Sequence, residues 1–162
     1  MVSCSDASNP GKTAVTDELE AVWRDLGVDP DDAALQGYGI DRQSDSDAET
    51  SEWCTDRDQD DRWIARRSAI LPAGRLTQDE ILEGFVARYR ELGVETIRLF
   101  RATGGATNVF VIALDTERGF WVRASIEGEG RVSLFVRHSE CPVDGFTTEV
   151  EGPYEEADLP SG

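Results

Sequence analysis

His138 stands beside Ser139 and three residues before Cys141, so a base and two kinds of nucleophile are neighbours here in sequence. A serine or cysteine hydrolase needs that base within hydrogen-bond reach of its nucleophile. On an extended strand, side chains one or three positions apart point to opposite faces. Neither Ser139 nor Cys141 converges on His138, and no hydrolase is read from them. Cation chemistry is the next candidate. Asp45, Asp47 and Glu49 have the alternate spacing of a calcium loop, but Thr50 takes the glycine position and Asp56 the place of the closing glutamate. The series beginning at Asp56, Asp58 and Asp60 closes on Arg67. Both stretches read as solvated acidic loop. Three scattered cysteines and one histidine lack the paired spacing of a zinc site. "TGGATN" has no P-loop lysine and joins strands instead of opening a helix. With 33 acidic residues in the chain, no two stand out as a glycosidase pair. No catalytic residue, metal or cofactor is assigned.

The cysteines carry a different kind of chemistry. In "VSC", followed by Ser5 and Asp6, Cys4 resembles the lipid-accepting end of a bacterial lipobox, although the apolar stretch that precedes such a cysteine is missing. The alternative is a cysteine that merely falls early. Cys54 lies before the first strand of the predicted core and Cys141 after the last. A disulfide between them closes most of that core, restricting the unfolded chain by about 4–5 kcal/mol on the entropic account. An oxidising setting sustains such a bridge; in a reducing one the same residues are two buried thiols. With Cys4 lipidated and the other two paired, no thiol is left over.

Hydrophobic periodicity supplies the elements. Leu19, Val22, Trp23 and Leu26 share one face of a short helix over 16–26, with Thr16 as its cap and Gly27 as its stop. Residues 37–61 are acidic and poor in aliphatics, and read as a long loop. A first strand is predicted over 62–71. "TQDE" then forms a capping box that opens a central helix over 78–92, with Ile81, Leu82, Phe85, Val86, Tyr89 and Leu92 on its core face and Gly93 as its stop. Four strand-like runs follow, over 95–102, 108–114, 119–127 and 131–138. Their short turn-rich connections predict an antiparallel meander over 95–138.

The expected fold is therefore α+β: a four- to five-stranded, mainly antiparallel sheet packed by one central helix, plus the short N-terminal helix. A flexible tether over 1–15, a single domain over 16–142 and an acidic flexible tail over 143–162 complete the organisation.

Alternation along the last two strands separates two sheet faces. Phe120, Val122, Ala124 and Ile126, with Val132, Leu134 and Val136, form a core face. Behind them Trp121, Arg123, Phe135 and Arg137 stand together, and Arg98 with Phe100 can join them. Two arrangements are open. Either the 16–26 helix covers this second face through Trp23, or the face is an exposed aromatic–arginine surface of the kind that marks contacts.

Charge narrows the partners. The net charge of −17 is concentrated in the flanks: residues 1–61 hold 17 acidic against 4 basic residues, 62–142 hold 10 against 12, and 143–162 hold 6 against none. Such a chain is ill suited to nucleic acid or to an anionic membrane surface, both of which require Lys and Arg. No apolar run approaches the ~20 residues that span a bilayer, and no charged segment followed by an apolar stretch opens the chain as an intact signal peptide. A membrane association is expected only through a lipid at Cys4.

Together with the Cys4 tether, "DRW" at Asp61–Trp63, "ELG" at Glu91–Gly93 and the closing Ser139–Pro142 give a pattern that resembles small secreted or lipid-anchored proteins of high-GC Gram-positive bacteria. The likeness covers most of residues 54–142. It implies an extracytoplasmic setting and transfers no catalytic residue. The expected function is a non-enzymatic cell-envelope module that binds a protein or small ligand. A cytosolic inhibitor or immunity-type protein that captures a basic partner is the first alternative, and an enzyme with unrecognised carboxylate chemistry the second.

Overall fold

The computed structural model describes residues 10–31, 35–42, 63–70, 76–104, 107–127, 131–138 and 152–160. Cys4, Cys54 and Cys141 lie outside the described residues, as does the acidic stretch over 43–62. Along the chain run α1 (Pro10–Asp25), β1 (Leu35–Arg42), β2 (Trp63–Ile70), α2 (Gln78–Glu91), β3 (Thr96–Ala102), β4 (Val109–Asp115), β5 (Phe120–Glu127), β6 (Arg131–His138) and β7 (Tyr154–Ala157). The strands form one sheet in the order β1-β2-β6-β5-β4-β3-β7, and every neighbouring pair is antiparallel. The class is α+β, and β3 to β6 form the expected meander.

The sheet is wider than the four to five strands expected. Residues 35–42, all but the first two of which fall in the expected loop, pair with β2 across a register shift between Gln36 and Gly39. The C-terminal stretch expected as a flexible tail supplies β7, whose Tyr154–Ala157 pairs with β3, while Leu159 packs against the core. Both additions are edge strands, held by backbone hydrogen bonds to one neighbour. Helix α1 also departs from expectation. It starts at Pro10 inside the expected tether, so Thr16 lies within the helix and is not its N-cap. A proline suits the first helical position, where no N–H donor is needed.

Each helix carries its own stop. Gly27 donates to Arg24 O and Val28 to Trp23 O; Gly93 donates to Arg90 O and Val94 to Tyr89 O. These paired bonds are the Schellman arrangement, which needs the left-handed backbone that both glycines adopt, at φ 83° and 80°. At the other end of α2, Thr77 Oγ1 accepts from Glu80 N while Glu80 Oε1 accepts from Thr77 N, completing the capping box.

Both helices lie on one face of the sheet. Val15, Leu19, Val22 and Trp23 of α1 and Ile81, Leu82, Phe85, Val86 and Tyr89 of α2 join one core cluster with the inward residues of β2 to β6. Helix α1 packs on β2 and β6, and α2 on β4 and β5. The sheet is thus covered by two helices side by side, where one central helix was expected. Gly84 allows them to approach: a Cβ added there would lie 3.1 Å from Leu26 Cδ2. Leu92, expected on the core face, is exposed, because the helix has ended by that position.

A buried carboxylate ties these parts together. Glu18 of α1 is 4% exposed and accepts four hydrogen bonds. Its Oε1 takes Arg88 Nη2 at 2.8 Å and Arg118 Nη1 at 3.0 Å; its Oε2 takes Tyr89 Oη at 2.7 Å and Arg118 Nη2 at 3.0 Å. Arg88 also reaches Asp25 at 2.6 Å, and Arg118 is held by Asp115 at 2.6 Å. Burial alone raises the Glu18 pKa. The hydrogen bonds from Arg118 and Tyr89 and the charges of Arg88 and Arg118 outweigh it, and the net shift is downward. The Tyr89 hydroxyl is pushed well above its usual range by burial and by the adjacent Glu18 charge.

Removing the carboxylate leaves two guanidinium groups facing each other. Glu18→Gln is expected to cost about 3–5 kcal/mol, read by urea unfolding at neutral pH. Because the folded-state pKa is depressed, the stabilisation by Glu18 is complete above its ordinary value of 4.5 and is lost as pH falls through the folded value. The variant is expected to lose stability less steeply than wild type below that pH. A loss under about 1 kcal/mol, or an unchanged acid slope, would show that the clamp is not holding the helices.

Candidate functional site

The pleat of β2 to β6 points a second set of side chains away from both helices. Register fixes the rows. Across the strands, Arg66 of β2 pairs with Phe135 of β6, Phe135 with Arg123 of β5, Arg123 with Ile112 of β4, and Ile112 with Arg98 of β3. The next row holds Arg137, Trp121, Leu114 and Thr96. The row on the other side holds Ser68, Ser133, Ser125, Phe110 and Phe100.

All four residues expected to form a surface, Trp121, Arg123, Phe135 and Arg137, meet here. The guanidinium of Arg123 lies 4.6 Å from the Phe135 ring centre, 5.2 Å from that of Phe110 and 5.8 Å from that of Trp121. Arg137 lies 4.6 Å over Trp121. Arg98 lies 5.2 Å over Phe100, so that pair joins the face as well. Contacts in this range are attractive because a cation meets the negative face of each ring.

The covered arrangement does not hold as expected. Trp23 is fully buried on the helix side, in the main core, and α1 does not lie over Trp121. Phe100, Ile112 and Trp121 are buried in a separate apolar cluster, with Phe110, Leu114, Phe135 and Tyr154 packed against it. Arg123, Phe135 and Arg137 are half-buried and Arg66 is exposed.

Charge on this face is unevenly satisfied. Arg98 takes both oxygens of Glu156, at 2.8 and 3.0 Å, and Arg131 faces Glu127 at 3.8 Å. Arg123 and Arg66 have no carboxylate partner among the described residues. Arg123 Nε and Ser125 Oγ are both buried without a hydrogen-bond partner, while Ser68 and Ser133 share a hydrogen bond of 2.9 Å one step along the same row. Burial, together with the positive charge of Arg137, lowers the Arg123 pKa. A cation held in this way binds an anion well: its rings fix it in place and the water that would screen it is partly removed.

Other places in the fold offer less. His138 half-buries against Phe120, with ring centres 4.9 Å apart, instead of standing in solvent. Ser139 lies outside the described residues. A groove of about 220 Å³ along α2 is lined by Glu83, Val86, Ala87, Arg90, Glu91 and Pro160, and Arg90 already donates to Pro160 O across it. Among the described residues no three His, Cys, Asp or Glu side chains converge as a metal site, and no helix is long and apolar enough to cross a membrane.

Phe110, Ile112 and Leu114 were missed as members of the face. Their signal was present in "VFVIALD", which is apolar at consecutive positions and so presents apolar residues to both sides of the sheet. Arg66 gave no such signal, because a lone polar residue on a strand is ordinary.

The division between apolar cluster and unpaired cation leads to a contrast. Trp121→Ala is expected to cost about 3–5 kcal/mol in urea unfolding. Arg123→Met removes a half-buried charge with no ionic partner and is expected to change stability by less than about 1 kcal/mol. A large loss on Arg123→Met would mean that the guanidinium holds the face together and is not held in reserve for a ligand. Comparison of the chain with models of protein families, with curated proteins and with solved structures found no match.

Proposed function

We propose that this protein is a non-enzymatic binding module of the cell envelope, and that it meets its partner through Trp121, Arg123, Phe135, Arg137 and their neighbours on the open sheet face. The observation that carries the reading is Arg123: half-buried, stacked on three aromatic rings and without a carboxylate partner among the described residues. Proteins rarely retain such a group for stability alone, since desolvating an unpaired charge is unfavourable. Aromatic and arginine side chains packed together are also the usual composition of an interface centre.

The face lends itself to binding and offers little for catalysis. Its rings and guanidiniums fix a partner by shape and charge, but no nucleophile and base converge on it among the described residues. The extracytoplasmic part of the proposal rests on the cysteines. Lipidation at Cys4 would tether the domain, and a Cys54–Cys141 bridge would require an oxidising milieu.

A photo-reactive amino acid in place of Thr96, which is exposed on the same face, tests the surface in the native host. Adducts are expected from that position, and are expected to vanish when Arg123→Ala is added. The same probe in place of Glu83, on the exposed side of α2, is expected to give none. Adducts from the Glu83 position alone, adducts that survive Arg123→Ala, or none from either position overturn the reading. Location has its own test. Alkylation of protein from the native host is expected to label Cys54 and Cys141 only after reduction, and labelling of both without reductant removes the export argument.

A further inference from the structure

We infer that the partner presents an acidic polypeptide segment to this face, laid across the strands so that its carboxylates meet Arg123 and Arg66. This rests on the binding-face reading and names the chemistry of what binds there. Three observations carry it.

The first is charge complementarity. The carboxylates described on this face, Glu156 and Glu127, are both engaged, by Arg98 and by Arg131. Among the described residues Arg66 and Arg123 are left as cations without a carboxylate. Within the face, Glu156 already shows the interaction that the inference extends. Its two oxygens accept from Arg98 Nε and Nη2, the bidentate geometry that suits a carboxylate.

The second is spacing. Arg66, Arg123 and Arg98 lie in one row, each separated from the next by a single intervening strand. Two inter-strand steps place successive arginines roughly 10 Å apart and the whole row across roughly 19 Å. A small dianion reaches one of these groups at a time. A peptide in the polyproline II conformation advances about 3.1 Å per residue with three residues per turn, so acidic residues at every third position share one side, repeat at roughly 9 Å and match the row.

The third is the state of the rings. Arg137 lies over Trp121 and Arg123 over Phe135, so guanidinium groups already occupy the π-faces that would stack nucleic-acid bases. What remains available for a ligand is the outward edge of the guanidinium, which is a carboxylate receptor. Arg123 is fixed by its stacking before any partner arrives, so less side-chain entropy is lost on binding.

The test titrates the full chain with a synthetic peptide carrying glutamate at every third position, followed by calorimetry and by amide chemical shifts. Shifts confined to the outer rows of β2, β6 and β5 are expected, with affinity that falls as salt is raised. Replacing each glutamate by glutamine is expected to abolish binding. Arg123→Gln and Arg66→Gln are each expected to weaken it about tenfold, while Arg24→Gln on the surface of α1 leaves it unchanged. Equal binding of the glutamine peptide, shifts centred on the helices, or tighter binding of single-stranded DNA or inorganic phosphate than of the glutamate peptide overturns the inference. Failure of the peptide while Thr96 adducts still form would reject the acidic partner and leave the binding face standing. Failure of both would remove the face itself.

Discussion

Glu18 is the constraint on which the arrangement of this fold depends. A carboxylate at a position of the α1 apolar stripe is buried among Val15, Leu19 and Val22, where an unpaired charge would be untenable. It survives there because three residues from two other parts of the chain converge on it: Arg88 and Tyr89 from α2, and Arg118 from the turn between β4 and β5. Apolar packing is indifferent to small rotations of one helix on another. Four directional hydrogen bonds are not, so Glu18 sets where α1 lies along α2 and which way it faces. Gly84 supplies the complementary freedom, since a larger residue there would press on Leu26.

That placement has a consequence on the far side of the sheet. With both helices committed to one face, the outer rows of β2 to β6 are covered by no described helix and must settle their own burial. They do so with a small cluster around Phe100, Ile112 and Trp121, over which arginine side chains lie with their apolar stems and planar heads. The two groups of arginines therefore differ in kind. Arg118 meets Glu18 and Asp115 and has its pKa raised, because every contact offsets the loss of water. Arg123 is stacked on rings and repelled by Arg137, and its pKa moves down. The same side chain closes the structure in one place and lacks a carboxylate partner among the described residues in the other.

Much of this was legible in the residues themselves. The α2 helix announces both its ends, through Thr77 and Glu80 at one and Gly93 at the other, and the four-strand meander follows from alternation and short connections. What escaped were features decided by tertiary pairing. Strand β7 consists of "YEEA", a segment with no apolar alternation, and it becomes a strand because the exposed edge of β3 offers hydrogen bonds. Strand β1 joins the opposite edge at β2 in the same way. The aromatic–arginine set around Trp121 was readable from period-two alternation. That it would be left uncovered by α1 was not, because the side on which α1 packs is decided by Arg88, Tyr89 and Arg118, residues far from it in sequence.

The electrostatics of the whole chain sharpen the reading of this face. At physiological ionic strength charges beyond about 8 Å are largely screened, so the acidic groups that act on the arginine row are those at contact distance, as Glu156 is to Arg98. A net charge of −17 discourages casual association with polyanions, and an anionic partner gains only if its acidic groups reach the row at contact distance. On the proposed reading, attraction is confined to one short-range geometry, and specificity comes from that geometry and not from overall affinity. An acidic ligand that cannot lie flat on the sheet meets the repulsion without the compensating guanidinium contacts, whereas one matched to the spacing of Arg66 and Arg123 meets both cations at once.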